Sequence, residues 1–173
     1  HDLSEFTEII DVRSPSEFAE DHLPGAVNLP VLDDEERATV GTIYKDKPFE
    51  ARRLGAALIS ANAAKHLQTH LAKKDKSYTP LVYCWRGGQR SGSFASILSQ
   101  IGWRTDVLEG GYRAYRTQVV RMLYEDALRY RFVLFDGNTG SGKTAILHSL
   151  NEQGAQMLDL EGLANHRGSL LGA

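Results

Sequence analysis

Pro80-Leu81-Val82-Tyr83-Cys84-Trp85-Arg86-Gly87-Gly88-Gln89-Arg90-Ser91 is a short apolar run that passes straight into a polar, glycine-containing turn. The residues that follow, 91–101, set Phe94, Ala95, Ile97, Leu98 and Ile101 at helical spacing on one inward face. Strand, tight turn and helix in that order are the unit from which parallel α/β sheets are built. Such sheets bind ligands where their strands end, and the chain's single cysteine stands at that point.

Three features of the turn favour a thiolate at Cys84. The pair Gly87-Gly88 lets successive backbone N–H groups curl inward as an anion nest. The helix that follows adds the positive end of its dipole. Arg86 and Arg90 add full charge. Each lowers the cost of ionising the thiol, whereas an inert buried cysteine needs none of them. Cys84 is therefore the expected nucleophile, and Trp85, Arg86, Gly87, Gly88, Gln89 and Arg90 the loop that holds an oxyanion donor or a group carried on sulfur.

Toward the N-terminus, residues 8–12 read as a buried strand ending in the polar pair Asp11 and Arg13. Ser14-Pro15-Ser16-Glu17 has the form of a helix start, with Ser14 as cap, Pro15 at the first helical position and Glu17 reaching back. Leu23-Pro24-Gly25 turns the chain, and residues 26–30 read as a second strand. Residues 33–50 are polar and are expected to be an irregular loop with a short helix, interrupted at Pro48. From 52 to 74 the apolar positions Leu54, Ala57, Leu58, Ala61, Ala64, Leu67 and Leu71 predict a long amphipathic helix.

Toward the C-terminus, residues 106–109 read as a strand closed by Gly110-Gly111. Residues 112–130 are expected to form a helix with Tyr115, Val119, Met122, Leu123 and Ala127 on one side, bridging two domains. Residues 131–135 read as a new strand. They are followed by Gly137-Asn138-Thr139-Gly140-Ser141-Gly142-Lys143-Thr144, which matches G-x-x-x-x-G-K-[ST] at every fixed position, and then by a helix. Strand, loop and helix are the context that a phosphate-wrapping loop requires, with Lys143 toward a polyphosphate and Thr144 able to take a Mg²⁺ ion. The pattern specifies polyphosphate without specifying a nucleotide. A last strand is expected over 155–160; Asp159 at its end reads as a solvated acid, with metal binding as the other reading. The domain organisation is thus a first α/β domain over 1–117, a linker helix over 118–130 and the start of a phosphate-loop domain over 131–173, a segment too short to complete one.

Composition fits this picture. The chain has 173 residues, 42% hydrophobic and 24% charged, with a formal net charge of −2, which is ordinary for globular domains and carries no overall nucleic-acid signature. Charge is uneven, however: residues 84–131 hold eight arginines against four acids. This reads as a solvated helix face with ion pairs or as a basic strip for RNA backbone. No apolar run reaches the ~18 residues of a membrane span, no signal-like segment is evident at the start, and one cysteine allows no internal disulfide. A cytoplasmic setting is expected.

Ile9-Ile10-Asp11-Val12-Arg13 with Glu17-Phe18, His22-Leu23-Pro24-Gly25-Ala26 and Leu108-Glu109-Gly110-Gly111 resembles the signature of the rhodanese superfamily over roughly residues 1–117. The resemblance implies a rhodanese-like parallel sheet with flanking helices, and structural roles for Asp11 and Arg13. One departure stands out. Many single-domain rhodaneses have Cys-x4-Arg, while Cys84 to Arg90 is Cys-x5-Arg, a wider cradle like those of the cell-cycle phosphatases and arsenate reductases of this fold. The loop alone leaves open a Cys-dependent phosphatase or arsenate reductase, a simple thiosulfate sulfurtransferase, or a nucleotide-binding regulator.

A rhodanese-like domain followed by the start of a P-loop NTPase-like α/β domain is an uncommon pairing. With Cys84 to Ser91, Glu109-Gly110-Gly111-Tyr112, Gly137 to Thr144 and Asp159-Leu160-Glu161-Gly162-Leu163-Ala164-Asn165-His166-Arg167-Gly168-Ser169 in order, the chain resembles the tRNA 2-selenouridine synthase family. That resemblance implies a transferase that replaces the sulfur of wobble 2-thiouridine in tRNA with selenium from selenophosphate. It also implies an S-geranyl intermediate made from geranyl diphosphate. Cys84 would handle the selenium donor, with a perselenide as one form, and the phosphate loop would hold a phosphate-bearing group such as geranyl diphosphate. The resemblance assigns no role to His166 or Arg167.

Overall fold

The computed structural model describes residues 3–126, 131–138 and 140–164, and the chain divides into two units, 1–128 and 129–173. In the first, β1 (Glu8–Asp11), β2 (Val27–Asn28), β3 (Pro80–Tyr83) and β4 (Asp106–Val107) form a parallel sheet in the order β2-β1-β3-β4. The register sets Ile10 beside both Val27 and Val82, and Val82 beside Val107. Ile10, Leu81 and Val82 are fully buried, as expected of central parallel strands covered on both faces. Burying such side chains stabilises by about 1.5–3 kcal/mol each. From β1 the chain turns to one side, toward β2, and from β3 to the other, toward β4. The sheet therefore opens a crevice between the C-terminal ends of β1 and β3, where the Val12 N–H donates to the Tyr83 carbonyl at 3.0 Å. Cys84 is the next residue.

The helices are α1 (Pro15–Glu20), α2 (Asp34–Asp46), α3 (Pro48–Gln68), α4 (Gln89–Ile101) and α5 (Gly111–Tyr124). The capping box of Ser14 and Glu17 forms as the sequence indicates. Residues 33–50 are far more regular than expected. Asp33 caps α2 by accepting the Glu36 N–H at 2.8 Å, Glu36 returns the bond, and Pro48 opens α3, as suits a residue without an N–H. The inward face of α3 also differs. Ala51, Gly55, Ile59, Asn62 and Ala63 are buried, with Leu58 and Leu67 packed at the edge, while Ala57, Ala61 and Ala64 are exposed. Alanine counts as apolar in a periodicity, yet it is small enough to face water at little cost. The helix is instead oriented by packing against α2, where Gly55 meets Val40, and against the core. Leu71, the last of the expected run, is buried in a separate 3₁₀ turn, His70–Lys73. On α4, Phe94, Ala95 and Leu98 are buried, Ile97 is half-buried, and Ile101 is half exposed at the left-handed cap Gly102.

The expected bridging helix is shorter than predicted. α5 runs through residue 117 and ends at Tyr124, with Met122 and Leu123 exposed; Ala127 lies outside the described residues. In the second unit, α6 (Lys143–Glu152) follows the glycine-rich loop and α7 (Leu160–Leu163) follows later. The strands expected over 131–135 and 155–160 are not formed among the described residues. A strand exists through ladder bonds to a neighbour, and the described residues provide none; Val133 and Leu134 are largely exposed. No helix among the described residues is long and apolar enough to cross a membrane.

Candidate active site

Cys84 is buried at the end of β3, under the N-terminus of α4. Its Sγ accepts the Gly88 N–H at 3.3 Å and lies 3.2 Å from the Ser91 hydroxyl. That hydroxyl is also 3.2 Å from the Gly88 carbonyl, and a negative sulfur is the stronger acceptor for its one proton. Burial pushes the thiol up, but hydrogen bonding from the Ser91 hydroxyl and from the backbone N–H groups of Ser91, Gly88 and Arg86 outweighs burial and holds it below its ordinary value. The anion nest is therefore made of loop amides and a hydroxyl.

The loop keeps its shape because its outward carbonyls are occupied. The Cys84 carbonyl accepts the Tyr112 N–H at 2.9 Å, and that of Trp85 accepts the Arg113 N–H at 3.0 Å. The unpaired first-turn donors of α5 thus serve the cysteine loop. This contact is so close that a Cβ on Gly111 would lie 2.3 Å from the Cys84 carbonyl oxygen, and one on Gly87 would lie 2.8 Å from the Leu108 carbonyl oxygen. Both glycines also have positive φ, +59° and +66°, which other residues rarely adopt. Gly88, by contrast, is the α4 cap with φ −100°. Tyr112 is pinned by donating to Asp21 and lies under the Arg13 guanidinium, 4.1 Å from the ring centre. Arg13 in turn makes a buried fork with Asp11, the shortest contact 2.6 Å, and donates to the Asp21 carbonyl. The Asp11 and Arg13 pair holds loops in place and stands apart from the sulfur.

The flanking residues of the loop separate in role. Arg90 was expected to add charge to the cradle, but Glu17 binds its guanidinium through two contacts, 2.6 and 3.3 Å. The capping residue of α1 thus neutralises it. Gln89 is exposed as the first residue of α4. Trp85 is 41% exposed, its ring 5.5 Å from that of Tyr112. Arg86 points into an open groove along α5. Ser91, Gly111 and Tyr112 were not identified as site-building residues from sequence. Ser91 had a signal, since a helix capped at Gly88 turns its third residue toward its own N-terminus.

In the second unit, Lys143 folds back over the glycine-rich loop, donating to the carbonyls of Gly137 (2.7 Å) and Asn138 (3.0 Å), and Ser141 donates its N–H to Asn138. Gly140 and Gly142 belong to the same turn, and Thr144 is exposed on the first turn of α6. Thr139, His166 and Arg167 lie outside the described residues. Asp159, expected as a strand-end acid, is the cap of α7, accepting the Gly162 N–H at 3.0 Å. Among the described residues no group of three or more His, Cys, Asp and Glu is placed to hold a metal ion.

Comparison with known proteins gives these features a context. The rhodanese-like domain family matches residues 1–118, and the family described as tRNA 2-selenouridine synthase AAA domain matches residues 130–173. A tRNA 2-selenouridine synthase of Bdellovibrio bacteriovorus is 40% identical over 95% of this chain and 43% of its own length. That of Nitrosomonas europaea is 39% identical over 96% of this chain and 43% of its own length. The chain thus spans less than half the length of these relatives. Among solved structures, the crystallised N-terminal domain of a Clostridium difficile 630 protein is 40% identical, with a TM-score of 0.57 over 65% of this chain and 88% of that one.

Proposed function

We propose, because this chain belongs to the rhodanese-like domain family and is similar to tRNA 2-selenouridine synthases along nearly its whole length, that it serves 2-selenouridine synthesis on tRNA as a cytoplasmic transferase. The observation that carries the reading is the pairing, in one chain, of a rhodanese-like cysteine cradle with a segment matching the tRNA 2-selenouridine synthase AAA domain. The substrate is wobble 2-thiouridine. Geranyl diphosphate, held by the loop from Gly137 to Thr144, alkylates its sulfur and diphosphate leaves. Selenium from selenophosphate then attacks C2 of the uridine ring, the C2–S bond breaks and geranyl thiol leaves. Mg²⁺ at Thr144 would neutralise the diphosphate.

The electron count bears on Cys84. Selenium in selenophosphate is already at the selenide level, so a perselenide on Cys84 would need an oxidant. A balanced alternative is attack of the Cys84 thiolate on phosphorus. The P–Se bond breaks, selenide leaves toward the alkylated uridine, and the phosphoryl group rests on sulfur within reach of the loop amides. Water then returns phosphate and thiolate. The engagement of Arg90 by Glu17 weighs against the phosphatase and arsenate reductase readings, which need that guanidinium on the anion.

The test is mass spectrometry of 2-thiouridine tRNA incubated with full-length protein, geranyl diphosphate and selenophosphate, beside Cys84→Ser. Selenated nucleoside that disappears in the variant supports the reading; none from folded full-length protein sinks it. Radiophosphorus-labelled selenophosphate, quenched in acid, is expected to leave label on Cys84. Labelled selenium on Cys84 without phosphorus would replace the phosphoryl step with a perselenide.

A further inference from the structure

Beside the cysteine loop runs an open groove of about 610 Å³, lined by Arg86, Gly110, Arg113, Thr117, Gln118 and Arg121. No acid lines it. Arg113, Thr117 and Arg121 follow at i, i+4 and i+8, so they share one face of α5, with Arg113 and Arg121 separated by roughly 12 Å at 1.5 Å per residue. The basic residues of this helix are not equivalent. Arg116 is turned away toward Asp21 at 3.5 Å. Arg121 meets Asp126 at 3.7 Å in an exposed pair, which holds it only weakly. Among the described residues neither Arg86 nor Arg113 has an acid within ion-pairing distance. At the loop end stands Trp85, 41% exposed, its ring tilted by 35° against that of Tyr112. Its position is rigid, because Arg113 bonds its carbonyl and Tyr112 is fixed from below by Asp21 and Arg13.

We infer that this groove binds an unpaired segment of RNA, with backbone phosphates along the strand on Arg113 and Arg121, another contact to Arg86, and a base stacked on Trp85 at the mouth of the Cys84 loop. Evenly spaced cations and a fixed aromatic surface are the two parts of a single-strand site. A duplex would meet the arginines but keeps its bases stacked on one another, leaving Trp85 without a partner. The assignment deepens the reading of the chain as a tRNA-modifying enzyme and rests on it for the identity of the strand; it accounts for how one base would be delivered beside Cys84.

The experiment uses full-length protein and a fluorescein-labelled oligoribonucleotide without modified bases, either single-stranded or annealed to its complement, with affinity measured by anisotropy across a salt series. Arg113→Gln with Arg121→Gln is expected to weaken single-strand binding at least tenfold and to flatten the slope of log K against log salt by about 0.7 per lost contact. Trp85→Ala is expected to weaken it by about fivefold to a hundredfold with the slope unchanged. Arg116→Gln, off the groove, should bind like the parent, and an unchanged urea unfolding midpoint verifies that each variant is folded. Parent-like binding by Arg113→Gln with Arg121→Gln, or equal loss for duplex and single strand on Trp85→Ala, overturns the inference. Binding needs no selenium chemistry, so RNA affinity that depends on these residues without selenation would leave the groove standing while the proposed activity falls. Selenation with an unchanged tRNA KM in the variants would do the reverse.

Discussion

Cys84 Sγ sits where two physical effects oppose each other: a buried site, which resists charge, and donors from Ser91, Gly88 and Arg86, which invite it. The donors prevail. Since the hydroxyl of Ser91 contributes most among them, Ser91→Ala is expected to raise the thiol pKa. A hydrogen bond to a charged acceptor is worth about 1.5–3 kcal/mol, and its loss removes the largest of the lowering contributions. The sign follows from the acid form being the unreactive one. Alkylation by iodoacetamide increases as pH rises through the thiol pKa, so the parent reaches its half-maximal rate at lower pH than Ser91→Ala. Identical profiles would mean that the backbone amides alone hold the thiolate. Cysteine, glycines and arginines announced an anion site in the sequence; which of them touch the sulfur was not legible. Arg90 lies six positions from Cys84, and its partner Glu17 belongs to a different helix.

At the scale of elements, the cysteine loop and the N-terminus of α5 form one unit, joined by the bonds from Tyr112 and Arg113 to the carbonyls of Cys84 and Trp85. Gly111→Ala would force a methyl group against the Cys84 carbonyl and ask alanine to hold φ +59°. Strain of that kind costs about 1–3 kcal/mol. The variant is therefore expected to unfold at lower denaturant concentration and to lose the low-pH reactivity of Cys84, whereas Gly88→Ala, where a Cβ meets nothing within 4 Å, should keep the fold. Equal stability of parent and Gly111→Ala in urea titration would show that the loop relaxes around the methyl. Two helix starts were legible because caps are local, Ser14 with Glu17 for α1 and the glycines around Cys84 for α4, whereas the equally local cap Asp33 with Glu36 went unread. The face of α3 was not legible, because its alanines satisfy a periodicity without saying which side meets α2.

For the whole molecule, the buried cysteine lies in one unit and the glycine-rich loop in the other. Lys143 lies over the glycine-rich loop, donating to the carbonyls of Gly137 and Asn138. Lys143→Ala in full-length protein is expected to weaken geranyl diphosphate binding about tenfold or more by titration calorimetry, with Cys84 alkylation unchanged. Retained affinity would move the diphosphate elsewhere, and ATP binding in its place would change the role of the loop. The sequence by itself determined the parallel α/β architecture, the position of Cys84 at a strand end and the glycine-rich turn that leads into α6. These follow from apolar runs, caps and spacings that act over a few residues. Only the tertiary structure decided that Arg90 is neutralised by Glu17 while Ser91 reaches the sulfur, that Gly111 and Tyr112 brace the loop, and that Arg86, Arg113 and Arg121 share a groove beside Trp85. It also decided that residues 131–135 form no strand with the described residues. Each of these depends on what a distant segment brings alongside, or fails to bring, and side-chain partners and strand ladders form in space between segments whose separation along the chain carries no local signal.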